Sequence, residues 1–408
     1  MNRLYLVTIY IGVLYFLTIF TSCSGNTEDQ VSSYPAHLDE LENVTIFSND
    51  SAPITYISFE REILFGDTPD QPIGRTGGFA VDDLGRIYLS DVQKNTLYVF
   101  EPDGSYLTSV GRSGNGPGEY LAGPFPVIRS DQLFLLDIRK SRVNQYSIAD
   151  LELVRGININ PTNKGSFDEL VNAQFNQIYV VNGKKLLVRL STYIPTVPDD
   201  AGELKDDKLI YHYLMGDDAR LTKPLTDPVP LYEITGKPAK QFQFEGPFRR
   251  VTPKPQLFIK PIVTVSDKGN IYTAMSDQLL VKKYSSGGDY QSAIYHPFNH
   301  LKMNYEDAVN SQKTPFLADL VSQNELPETW PAMDDMLADD EGRLWVATIV
   351  EDLSVYEWWV LEESGELITK FKWPRDEPIE VIKNGKIYTR ETDEDTGLQR
   401  VVRYGIVM

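Results

Sequence analysis

The 408-residue sequence contains one cysteine, Cys23, and four histidines, His37, His212, His296 and His300. A single thiol excludes an intramolecular disulfide framework and a thiolate-rich metal centre. His296 and His300 have the i,i+4 spacing of a helical zinc motif. Pro297 between them works against a continuous helix, and a zinc centre needs three or four converging ligands. Asp334, Asp335, Asp339, Asp340 and Glu341 supply hard oxygen donors of the kind calcium takes. They fall on one strand and its turn, where successive side chains point opposite ways, and no Asp-x-Asp-x-Asp-Gly loop is present. The cluster reads as a solvated turn, and no metal or other cofactor is expected. Gly111-Arg112-Ser113-Gly114-Asn115-Gly116 has the glycine content of a phosphate loop but lacks the Lys-Ser/Thr pair and precedes a strand. There is no Gly-x-Ser-x-Gly nucleophile elbow. Abundant carboxylates leave paired-carboxylate glycosidase chemistry compatible with the composition.

The elements that must position such groups are strands. Residues 80–104 read as an apolar strand, a turn at Asp82, Asp83 and Gly85, and an alternating strand through Ile87 and Leu89. A polar corner over Asp91 to Asn95, a strand through Leu97 and Val99, and a turn at Pro102-Asp103-Gly104 follow. Tyr106 to Val110 completes the unit. Period-2 alternation broken by turns every 8–12 residues is the all-β pattern. The unit recurs over 126–155, 262–294 and 336–371, and more weakly over roughly 168–215, anchored by Asn176 to Val180 and Lys185 to Val188. A three-stranded copy covers 379–406. Six four-stranded units repeated radially make a six-bladed β-propeller. Ile54 to Phe59 alternates and can supply the missing last strand, which closes the ring and removes its edges. Residues 304–323 predict a short helical insertion with Asn304 as N-cap and Phe316, Leu317, Leu320 and Val321 on one face. Residues 195–260 predict long loops.

The stretch Asp137-Ile138-Arg139-Lys140-Ser141-Arg142-Val143-Asn144-Gln145-Tyr146 has the spacing Asp, four residues, Arg, apolar, two residues, aromatic. With the glycine-rich link 111–120 before it, this resembles the NHL repeat and the six-bladed propeller lipoproteins of Bacteroidetes-like bacteria. The likeness is clearest over 79–155. Some enzymes of this broader fold hold a metal in the central channel, by histidines in amidating lyases and by carboxylates and amides in lactonases.

In a propeller blade the loops between strands 2 and 3 and the links between blades share one face. That places Asp91 to Asn95, Arg112 to Tyr120, Asp137 to Arg142, Ser276 to Gln278, Ile349 to Ser354 and Glu391 to Leu398 together, and binding usually lives on such loops. Arg112, Glu119, Tyr120, Arg139, Arg142 and Arg390 are the ligand-binding candidates. Asp137 and Arg142 flank a tight corner and can instead pair within their blade. Tyr88, Phe134, Tyr179, Tyr272, Trp345 and Tyr388 repeat one place after the turn and are expected in the core. Trp358 and Trp359 are neighbours on a strand, so one of them is expected to be partly exposed, where it can stack on a sugar or meet a protein. The innermost strands are largely apolar (Phe79, Val81, Val127, Val263, Val265), which favours binding over channel catalysis.

At the N-terminus, Leu4 to Phe20 is an apolar run after Arg3, with no acid before Glu28. This is a secretory signal over residues 1–22, at the short edge for a membrane span. Phe20-Thr21-Ser22-Cys23 resembles a bacterial lipobox, with Phe where Leu is usual, which implies lipidation of Cys23. Residues 23–50 read as a polar, acidic tether, and 51–408 as the propeller. Acids soon after the cysteine resemble the surface-export signal of Bacteroidetes-type lipoproteins.

Hydrophobic residues make up 41% and charged residues 24%, which excludes wholesale disorder. The net charge of −19 argues against nucleic-acid binding. The sequence therefore points to an envelope lipoprotein, at the outer membrane and facing periplasm or surface, with a membrane contact through its lipid. Its expected role is a non-catalytic binding or scaffolding module for a glycan, peptide or partner envelope protein. The alternative is a metal-dependent, lactonase-like or lyase-like enzyme using the channel.

Overall fold

The computed structural model describes residues 35–48, 52–68, 71–171, 173–192, 209–226, 229–230, 233–234, 237–238, 257, 259–312, 315–322 and 326–407. The segment expected to be a signal peptide, Cys23 and most of residues 195–260 lie outside these residues. Residues up to Glu40 form a separate unit, of which a short 3-10 turn over Ala36–Glu40 is described. Among the described residues no helix is long and apolar enough to cross a membrane.

The remainder is a six-bladed β-propeller, and each blade is an antiparallel sheet. Blade 1 comprises Thr76–Val81, Ile87–Asp91, Thr96–Phe100 and Tyr106–Val110. Blade 2 comprises Phe125–Arg129, Gln132–Asp137, Arg142–Ser147 and Leu153–Asn158. Blade 3 comprises Ala173–Asn182, Lys185–Thr192, Leu209–Gly216 and Leu221–Pro224. Blade 4 starts with Pro261–Val265, Ile271–Met275, Leu279–Tyr284 and Tyr290–His296. Blade 5 comprises Met333–Ala338, Leu344–Ile349, Val355–Leu361 and Leu367–Pro374. Blade 6 contributes Ile379–Lys383, Lys386–Thr392 and Gln399–Val407, and Ser58–Phe65 pairs antiparallel with the last of these. First and last strands therefore close the ring. The closing strand is Ser58–Phe65 rather than 54–59. The register Phe59↔Ile406 and Phe65↔Val401 seats Phe65 among the buried residues between blades 6 and 1.

Six apolar clusters hold the ring together, one at each junction between neighbouring blades. Tyr88, Phe134, Tyr272, Trp345 and Tyr388, at one place on the second strand, each enter a different cluster. Tyr179 does not share that place, because in blade 3 it lies on the innermost strand. Trp358 and Trp359 are both buried. Trp358 faces the junction of blades 5 and 6 and Trp359 that of blades 4 and 5, because a propeller blade is covered on both faces. Neither ring is a surface platform.

The turn between strands 1 and 2 repeats in blades 1 and 5. Asp82 accepts from the backbone N–H of Leu84 and Arg86 at 3.0 and 2.8 Å, and from Arg86 Nε at 2.6 Å. Asp339 accepts from the backbone N–H of Glu341 and Arg343 at 3.1 and 2.8 Å, and from Arg343 Nε at 2.6 Å. Gly85 and Gly342, at φ +81° and +94°, let the chain reverse.

Two local features differ from the sequence reading. Val44–Ile46, assigned to the tether, adds a fifth strand to blade 4, parallel to Tyr290–His296, and Phe47 stacks on His296 at 4.4 Å. The insertion forms two helices, Tyr305–Asn310 and Pro315–Ser322. Asn304 caps the first, accepting from the Asp307 N–H at 2.8 Å. Ala308 and Val321 pack with Met303 and Trp330 against blades 5 and 6. The side chains of Phe316, Leu317 and Leu320 lie outside the described residues.

Candidate functional site

The channel differs at its two ends. On the tight-turn face, Arg129 of blade 2 donates to Asp267 of blade 4 at 2.9 Å and to the Val265 carbonyl at 2.5 Å. Lys383 of blade 6 reaches the same Asp267 at 2.7 Å and Asp83 of blade 1 at 2.6 Å. Burial pulls the Arg129 guanidinium below its usual value, and Asp267 opposes that shift. These ion pairs span the axis and tie four blades together. Between the two ends lies a cavity of about 230 Å³ lined by Phe79, Val81, Val127, Val265, Leu337 and Val381, with Glu380 and Asp340 towards its ends. Four of the five apolar residues expected at the axis are there. Val263 turns instead into the junction of blades 3 and 4.

At the loop-face mouth, Asp334 accepts from Lys260 Nζ at 2.6 Å and from the Tyr356 hydroxyl at 2.5 Å. Glu380 accepts from Arg390 at 2.9 Å, and burial raises its carboxyl while Arg390 holds it down. Asp335, next to Asp334 on the first strand of blade 5, has an exposed surface but is crowded by protein. That desolvation, with like charge from Asp334 and Glu380, pushes its carboxyl up to about 6, against the opposing Met336 N–H and Lys260. His212 is buried on the third strand of blade 3, and burial with the Arg189 charge lowers its imidazole to about 3. Among the described residues, no three His, Cys, Asp or Glu side chains are grouped to hold a metal ion.

Beside this mouth, blades 6, 1 and 2 enclose a cleft of about 790 Å³. Its floor is shaped by glycine. The ladder between the first two strands of blade 1 slips between Thr76 and Phe79, which is a bulge at Gly77-Gly78. A Cβ at Gly77 would come within 2.6 Å of Val92, one at Gly78 within 2.7 Å of the Phe125 ring, and one at Gly123 within 2.7 Å of the Val92 backbone. Gln399 of blade 6 accepts from the Thr76 N–H and hydroxyl at 3.3 and 3.1 Å, which fixes that wall. Leu121 and Phe125, 40% and 47% exposed, give it an apolar side. Arg75, Arg139 and Arg390, with Gln93 and Asn95, give it a polar one.

The six residues singled out from sequence separate into two groups. Arg139 and Arg390 line the cleft. Arg112 and Glu119 pair with each other at 2.8 Å, and Glu119 also accepts from the Gly116 N–H at 2.7 Å, which holds its carboxyl below the usual range. Arg142 donates to the Glu119 carbonyl at 2.8 Å and approaches Asp137 at 3.9 Å, the within-blade corner anticipated as its structural role. Tyr120 does not face a ligand. It is wholly buried, its hydroxyl 2.8 Å from that of Tyr146 and accepting from Asn144 at 3.0 Å. Gly111 allows this, since a Cβ there would lie 2.5 Å from the Tyr120 ring. Sequence reasoning missed Arg75, Gln399 and Phe125. The available signal was the Arg75-Thr76-Gly77-Gly78 run, where paired glycines open a strand.

Residues 38–194 match the DUF5128 family, described as a 6-bladed beta-propeller. No curated protein matches the chain in sequence. Among solved structures, the fold is similar to a Bacteroides fragilis protein taken to be exported, at 12% identity over 90% of this chain and 100% of that one, with a TM-score of 0.47. It is also similar to a member of the DUF4221 family from Bacteroides vulgatus, at 12% identity over 86% and 98% of the two chains, with a TM-score of 0.48. A calcium-binding protein, regucalcin, from Agrobacterium tumefaciens matches at 11% identity over 89% and 97%, with a TM-score of 0.38.

Proposed function

We propose that this chain is a non-catalytic binding module, held at a bacterial envelope by a lipid on Cys23, whose ligand seats in the cleft between blades 6, 1 and 2. The observation that carries this reading is the cleft itself. It is within the size range of small-molecule sites, it combines apolar and polar walls, and its glycine floor is fixed by contacts a side chain would break. The loop face also carries the links between blades, and rigid scaffolds usually place binding groups on such loops. The channel is less suited to chemistry. Its middle is apolar, and Asp334 and Glu380 at its mouth are each held by a cation.

The test is a screen of the full-length protein in detergent against glycan and peptide arrays, alongside Leu121→Trp, which fills the cleft from an exposed position. Ligands that bind the native protein and are lost in the variant support the reading. Ligands indifferent to the variant, or none at all, contradict it. The anchor is tested separately by incorporation of labelled fatty acid in the bacterial host, which Cys23→Ala should abolish.

A further inference from the structure

We propose that the cleft takes a carboxylate-bearing oligosaccharide, an inference that rests on the cleft being the ligand site. The chain carries a net charge of −19, yet the cleft is lined by Arg75, Arg139 and Arg390 and by no aspartate or glutamate. A cationic cleft in an acidic protein focuses anions towards it. The guanidinium groups are also largely unspent. The Arg75 guanidinium has no hydrogen-bond or ion-pair partner among the described residues, and the one side-chain bond of Arg139 is a 3.5 Å contact to the Leu121 carbonyl. Arg390 is partly committed, to Glu380 at 2.9 Å and the Thr76 carbonyl at 3.3 Å, while its Nε is buried without a partner. A guanidinium presents a planar fork that matches a carboxylate in two bonds.

The remaining groups favour a sugar over an acidic peptide. Gln93 and Asn95 each offer a donor and an acceptor, which suits hydroxyls that both give and accept. The exposed faces of Phe125 and Leu121 fit the C–H side of a sugar ring. An extended peptide would instead seek backbone partners along a strand. Here the Thr76 N–H is taken by Gln399 and the Val92 N–H by the Arg75 carbonyl at 3.1 Å.

The experiment is calorimetric titration of the full-length protein in detergent with tetragalacturonate, its neutral methyl ester, and tetraglutamate. Arg75→Gln and Arg139→Gln are compared with the native protein, and melting curves confirm that each folds. Tetragalacturonate should bind, and each substitution should weaken it by about tenfold, a larger loss than the same substitution causes for the weaker ester. Equal binding of acid and ester would overturn the anionic assignment and leave the binding module standing. Tighter binding of tetraglutamate would overturn the sugar assignment. If none of the three binds while an array ligand is still lost in Leu121→Trp, the inference fails and the module reading survives. If no ligand responds to Leu121→Trp, both fail.

Discussion

Asp267 of blade 4 lies 2.9 Å from Arg129 of blade 2, although blade 3 separates the two in the ring. The pair crosses the channel axis. Because Lys383 of blade 6 meets the same carboxylate, Asp267 ties three non-adjacent blades together at the tight-turn face.

Asp267→Asn should loosen this tie. Two cations keep their partly buried positions and lose their common anion. The cost is about 2 kcal/mol, below that of a fully buried pair because Asp267 is about a third exposed. A lower denaturant midpoint checks this. An unchanged midpoint would mean that the neighbouring contacts of Arg129 and Lys383 suffice.

Asp335 should make the protein less stable as pH rises through its titration. Its folded carboxyl sits at about 6, above the ordinary aspartate value of 3.8, so the folded state binds more protons than the unfolded one between those values. The sign is therefore negative: stability falls as pH rises from about 4 to about 6 and stays lower above it. Asp335→Asn removes that penalty, so its advantage over the native protein should be larger at pH 7 than at pH 4. The difference between the two proteins carries the sign, because His212 titrates in the opposite sense over an overlapping range. Chemical denaturation at both pH values checks it.

Tyr120→Phe separates a structural from a ligand-facing role. The phenol links Tyr146 and Asn144 inside the junction of blades 1 and 2. Its loss should cost about 1–2 kcal/mol of stability and leave ligand affinity unchanged. Weakened binding in a variant that melts normally would restore it to the site.

Trp359→Ala should cost about 3–5 kcal/mol, as expected for a large buried aromatic. The ring sits among blade 4 and 5 residues, with Lys370 Nζ 3.4 Å from its centroid and its Nε1 donating to Glu357 at 3.0 Å. A loss of glycan binding with little loss of stability would contradict that placement.

Local chemistry carried most of the architecture in the sequence. The Asp82 and Asp339 turns, the aromatic after them and the Asp137–Arg142 corner are set by residues within a few positions of one another, so their patterns survive as repeats. Interactions between blades left weaker marks. Nothing near Asp267 shows that it will meet Arg129, which is distant in the chain. Strand alternation suggested an exposed face for Trp358 or Trp359, but it counts one covered face and a propeller blade has two. Val44–Ile46 is too short a strand to stand out from a polar segment. In the candidate site, Arg139 and Arg390 were legible as loop-face cations. Arg75 was not, because the bulge at Gly77-Gly78 that opens its wall depends on Val92 and Phe125 packing close against the backbone.

Amide hydrogen exchange of the full-length protein, with and without a saturating array ligand, tests the central claim most directly. The account predicts protection at 75–78, 92–95 and 121–125, which border the cleft, and none at the Ser130-Asp131 turn on the other face. Protection confined to that turn and its neighbours Asp83 and Asp267 would contradict it.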